Sequence, residues 1–242
     1  MKALGIKRSL IVSLIAVSII VYLIYIFVFN QKAIEPQAPR KFGATYMTMN
    51  NPYFDILDGG IREVVEANGD YLITRDPATY QDKQNQQIYE MIEEGVQAIF
   101  INPVDWKGVK PALIACKEAN IPVFNVDTYV YDTDLVVSVI ASDNYNAGVQ
   151  CAQDMMSKLD SADIVILDQP IINSITQRVQ GFKDTIEGNS NYRIVAQEAA
   201  RGELEVAMEV MNSIIESGLK FDVVLGGNDP TALGALAAIE SH

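Results

Sequence analysis

An α/β fold of two doubly wound lobes behind one apolar N-terminal helix is what this sequence predicts, and three observations carry the expectation. From residue 42 onward, short apolar runs alternate with longer stretches of helical period. The runs are apolar almost throughout, as in AIFIN and DVVLGG, which suits parallel strands buried on both faces. The rhythm breaks once, at TYVYDTDLVVSVIASDN, where consecutive runs come too close together to hold a helix between them.

The N-terminal part comes first. Residues 1–9 carry Lys2, Lys7 and Arg8 and no acid, and residues 10–29 carry no charge at all. An apolar helix of about 20 residues spans roughly 30 Å of hydrocarbon. Residues 10–29 are therefore expected to form a transmembrane signal anchor behind a basic flank, with the N-terminus inside. A cleaved signal peptide is the alternative, although the run is long for one and no small-x-small site follows it. Both readings put the rest of the chain on the extracytoplasmic face of the membrane. Residues 30–41, polar with two prolines, read as a linker.

Next come the βα units. Candidate strands are 43–49, 70–74, 97–101 and 122–126, and a second set follows at 136–140, 163–167, 192–197 and 222–226. Candidate helices are 53–67, 82–93, 107–119, 144–158, 176–187, 203–217 and 230–240, with Gly69, Gly95 and Gly218 as left-handed stops. The break in rhythm divides a first lobe, 42–141, from a second, 142–242.

Charge and composition exclude several functions. Net charge is −13, and removing the three cations of residues 1–9 leaves −16 on the remainder, a surface that repels nucleic acid. The single histidine is His242, so no metal site and no histidine-based catalytic triad is expected. No strand is followed by GxGxxG or GxxxxGK[ST], so neither an enzyme nor a cofactor is expected. Cys116 and Cys151, in helical neighbourhoods, are read as small buried apolar residues.

Doubly wound sheets bind ligands beyond the carboxyl ends of their strands. There this chain places Asn50-Asn51-Pro52-Tyr53-Phe54, Asp127-Thr128-Tyr129, Ser142-Asp143-Asn144, Asp168-Gln169 leading to Arg178, and Gly226-Gly227-Asn228-Asp229. Carboxylates and amide oxygens accept hydrogen bonds from sugar hydroxyls, guanidinium and amide N–H groups donate back, and aromatic faces cover the C–H faces of the ring. Each element also has a structural role open to it. The asparagines and aspartates can cap helices, Phe54 can be core, and Arg178 can be a surface charge.

The segments MNNPYF, AIFINPVD, IPVFNVD, IASDN, RVQGF and GGNDPTALGAL, in this order, resemble the ribose-type periplasmic sugar-binding proteins of ABC transporters. The resemblance runs from about residue 42 to the end. It implies two Rossmann-like lobes, the type I periplasmic binding protein fold, with a monosaccharide or polyol held between them. It carries a ligand-binding role to Asn51, Tyr53, Phe54, Asp127, Thr128, Arg178 and Asn228. The chain departs from the pattern at Thr128, where the family has arginine, at Met47, where it has a small hydroxyl residue, and at Gly202, where it has an aromatic. Those departures argue against ribose itself. Family members continue beyond the helix that opens with NDPTALGAL, so a C-terminally truncated chain that folds poorly and binds weakly is expected. An ABC permease is the implied partner. A membrane-anchored sensor that reports to a histidine kinase or receptor is the alternative.

Overall fold

The computed structural model describes residues 15–27 and 38–242. The residues up to Pro39 and those from Arg40 to His242 form separate units. In the first unit, residues 15–27 are helical with exposed side chains. Among the described residues no helix is long and apolar enough to cross a membrane. The expected span 10–29 runs past the described residues at both ends, and the basic flank 1–9 and most of the linker lie outside them.

The second unit alternates strand and helix. Its order is β1 (Lys41–Thr45), α1 (Pro52–Ala67), β2 (Tyr71–Arg75), α2 (Gln81–Glu93), β3 (Ile99–Ile101), α3 (Lys110–Glu118), β4 (Val123–Val126), a 3-10 turn (Thr133–Leu135) and β5 (Ser138–Ile140). Then come α4 (Asn144–Lys158), β6 (Ala162–Asp168), α5 (Asn173–Ile186), β7 (Tyr192–Ala199), α6 (Leu204–Glu216), β8 (Val223–Gly226) and α7 (Asp229–Glu240). One sheet has the order β2-β1-β3-β4-β5 and the other β7-β6-β8, parallel throughout. The order reverses beside β1 and again beside β6. A doubly wound sheet opens a crevice for ligand at such a reversal.

The second set of candidate strands divides differently from its rhythm. β5 pairs with β4 in the first sheet, Phe124 beside Ser138 and Val126 beside Ile140. The connection from β4 to β5 holds only the 3-10 turn, so β5 is laid on as an edge strand without a crossover helix. The outer strands also depart from the expectation of burial on both faces, since every residue of β7 is exposed or half-buried.

Helix ends follow local chemistry. Asn51 caps α1, its Oδ1 accepting from the Tyr53 N–H at 3.1 Å, with Pro52 in the first turn. Asp143 caps α4 and Asn228 caps α7 in the same way.

Packing is tight where helices cross. A Cβ on Gly148 of α4 would overlap the carbonyl oxygen of Arg178 on α5, and one on Gly181 would overlap that of Tyr145. The two backbones approach too closely for any side chain at either position. One buried cluster continues from Tyr46, Phe54 and Val104 of the first lobe to Ile172, Ile175 and Val179 of the second.

The two cysteines differ, contrary to the expectation that both are buried. Cys116 on α3 is 1% exposed and burial pushes its thiol up to about 12, whereas Cys151 sits on an exposed position of α4. The helical period placed both on helices without fixing which face each occupies. A thiolate is the reactive form, so a maleimide at neutral pH is expected to modify one thiol in the native protein and two in denaturant. Mass spectrometry counts them, and native labelling at Cys116 contradicts this packing.

Candidate functional site

The site builds from the carboxyl ends of the strands. After β4 the chain turns at Asp127, whose φ of +64° lies in the left-handed region and whose N–H donates to the Ile140 carbonyl at 2.7 Å. Aspartate tolerates this conformation better than most residues but still at some cost. Two donors hold its Oδ2. Asn102 Nδ2 and Thr128 Oγ1 each reach Asp127 Oδ2 at 2.9 Å. Asn102 is itself fully buried, its Oδ1 accepting from the Met47 N–H at 3.2 Å and its carbonyl accepting from Gln84 Nε2 at 2.9 Å.

Arg178 comes from the second lobe. Its Nε donates to Asn144 Oδ1 at 2.9 Å and its Nη1 to the Gly227 carbonyl at 2.8 Å. Asn144 is 1% exposed. A guanidinium gripped at two nitrogens by fixed partners keeps its plane. Among the described residues no hydrogen bond engages its Nη2.

Tyr53 joins the two charges. Its phenol is raised above the ordinary range, first by burial, then by the charge of Asp127 and a hydrogen bond to it, while Arg178 pulls the other way. Thr128 links Asp127 to Ser174, one turn before Arg178 on α5, so Tyr53, Asp127 and Arg178 share one locality although they come from different lobes. Behind Tyr53, Phe54 meets it edge-on at 5.3 Å and stacks on Tyr46 at 5.6 Å. The Tyr46 hydroxyl donates to Asp58, which also accepts from Arg62 and Thr74.

The lobes touch at this place. Thr128 Oγ1 stands 2.7 Å from Ser174 Oγ, and the Trp106 N–H donates to the Ile171 carbonyl at 3.2 Å. One open groove of about 520 Å³ borders Tyr53 and runs beside Ile56, Val64 and Phe100, and another of about 640 Å³ lies beside Lys183, Glu187 and Tyr192.

Of the residues singled out in the sequence, Tyr53, Asp127 and Arg178 converge. Thr128 adjoins them but is fully buried, so its hydroxyl serves Asp127 and Ser174. Phe54, 2% exposed, packs in the core. Asn51 and Asn228 spend their side-chain oxygens on helix caps, and Asn228 Nδ2 donates to the Gly202 carbonyl at 3.1 Å. Asn144 stands among the strand-end candidates with a helix cap as its other role, whereas Asn102 and Ser174 are not among those candidates. Asn102 had a readable signal, since it follows β3 in AIFINPVD as Asp127 follows β4.

A sequence profile of the periplasmic binding protein domain matches residues 42–242. The chain belongs to this family. It is a type I periplasmic binding protein of the ribose-binding-like kind. It is 28% identical over 201 residues to the ribose import binding protein of Bacillus subtilis, across 82% of this chain and 65% of that one. It is 28% identical over 183 residues to the galactofuranose-binding protein of Escherichia coli, across 72% of this chain and 58% of that one. The periplasmic binding protein thus spans less than two thirds of these relatives' own lengths. Among solved structures it is similar to the periplasmic binding protein component of the arabinose ABC transporter from Shewanella sp. ANA-3, bound to α- and β-L-arabinofuranose. There the TM-score is 0.76 and the identity 28%, covering 83% of this chain and 68% of the other. It is also similar to a Mycobacterium smegmatis protein in complex with β-D-fucofuranose, at TM-score 0.74 and 29% identity, covering 84% of this chain and 69% of the other.

Proposed function

We propose that this chain binds a neutral monosaccharide or polyol between its two lobes, on the extracytoplasmic face of the membrane, for uptake through an ABC permease. The observation that carries the reading is the meeting of Tyr53, Asp127 and Arg178. A carboxylate and a guanidinium, each fixed by buried amides and carbonyls, make an acceptor and a donor for neighbouring hydroxyls. They bring opposite charges, which suits an uncharged guest. The names of the relatives support a sugar, and several support a five-membered ring. They support import over signalling. Membrane attachment through residues 10–29 belongs to the same proposal, supported by the lack of charge from Leu10 to Phe29.

The test is a thermal-shift and calorimetric screen of the chain against ribose, arabinose, galactose, fucose, apiose and inositol. The expected result is a melting temperature that rises with at least one of them. A melt unmoved by every sugar overturns the reading. Membrane fractionation of the expressed chain tests the anchor, which is expected to leave the protein in the pellet after a salt wash.

A further inference from the structure

One interlobe contact has no part in holding sugar directly. Thr128 is fully buried and Ser174 is 4% exposed, and their hydroxyl oxygens face each other at 2.7 Å from opposite lobes. Valence fixes the direction of this bond. An ionised carboxylate can only accept, so the Thr128 hydroxyl spends its one proton on Asp127 Oδ2 at 2.9 Å. Thr128 Oγ1 must then accept on its other side, and Ser174 donates. With Asn102 Nδ2 as its second donor, Oδ2 is fully occupied.

We propose that Ser174 is a positioning residue for Asp127, acting across the lobe boundary through Thr128; this rests on the sugar-binding reading above. When the lobes part, Thr128 loses its donor and its hydroxyl can rotate toward another acceptor. When they close, the proton of Ser174 occupies the lone pair of Thr128 and directs the proton of Thr128 onto the carboxylate. Aligned bonds of this kind reinforce one another in a water-poor place. Asp127 therefore reaches its full orientation only with the second lobe in position. Closure and ligand capture are coupled in one chain of three side chains. The stiff χ1 of a β-branched residue suits Thr128 to the middle of that chain.

The experiment measures sugar affinity and dissociation rate by calorimetry and stopped flow on the full chain. The variants are Ser174→Ala, Thr128→Val, Thr128→Ser and the double variant Ser174→Ala with Thr128→Val, with circular dichroism to verify the fold of each. Ser174→Ala is expected to weaken binding about tenfold, mostly through faster dissociation. Thr128→Ser keeps the hydroxyl and is expected to stay within about threefold of wild type. Thr128→Val, equal in shape, is expected to lose at least as much as Ser174→Ala. The double variant is expected to match Thr128→Val alone, because the relay is already cut. Wild-type affinity in Ser174→Ala overturns the proposal, as does a second full loss in the double variant. Either is distinct from a wild-type chain that binds no sugar, which overturns the binding reading itself.

Discussion

Asp127→Ala is expected to weaken sugar binding at least about 100-fold, because it removes a charged acceptor and disturbs two buried neighbours at once. Hydrogen bonds to a charged group contribute about 1.5–3 kcal/mol each, and two lost bonds exceed a hundredfold in affinity. The variant also leaves Asn102 Nδ2 and the Thr128 hydroxyl without their acceptor, both at buried residues. Asp127→Asn keeps the volume but can no longer accept at both terminal atoms. Its loss is expected to be smaller than that of alanine, and calorimetry ranks the two. Arg178→Ala is expected to behave similarly, since Asn144 and the Gly227 carbonyl lose their donor together with the ligand. If Asp127→Ala and Arg178→Ala both bind like wild type, the site lies elsewhere.

Gly148→Ala is expected to destabilise the second lobe by about 3 kcal/mol or more, at the upper end of what overpacking usually costs. The obstacle is backbone. A methyl group there would overlap the Arg178 carbonyl oxygen, with the carbonyl carbon at 2.8 Å and the Phe182 nitrogen at 2.9 Å. Neither can swing aside as a side-chain tip can, so α4 and α5 must separate. At this chain length the melting temperature is expected to fall by about 6–12 °C. Because the displaced carbonyl belongs to Arg178, affinity is expected to fall as well. Gly60→Ala is the control. It lies on α1 with nothing within 4 Å of the added carbon, and alanine there favours the helix by up to about 1 kcal/mol. Equal melting temperatures for Gly148→Ala and wild type refute the close crossing.

The strand and helix order was legible because parallel strands buried on both faces leave nearly unbroken apolar runs, and the helices between them leave a different period. The sheet that β5 joins was not legible from rhythm, for a physical reason. A short edge strand such as SVI carries no mark of the sheet it joins, and its place comes from pairing with β4. At the site, Asp127 stood out because a charge directly after an apolar strand needs an explanation. Asn51 and Asn228 were ambiguous because one amide oxygen serves a helix cap and a sugar hydroxyl equally well, and here the caps hold both. Asn102 and Asn144 act on Asp127 and Arg178 through tertiary contacts 25 and 34 residues away in sequence, and no local pattern announces such pairs. The exposure of Cys151 and the burial of Thr128 were likewise settled by which neighbours arrived.

The chain has one tryptophan, Trp106, and its amide bonds the Ile171 carbonyl of the opposite lobe while its ring meets Tyr131 edge-on at 5.3 Å. Nature has therefore put the molecule's sole indole emitter on the seam that any opening must tear. Its colour and brightness form a built-in optical gauge of jaw position, readable without dye or label.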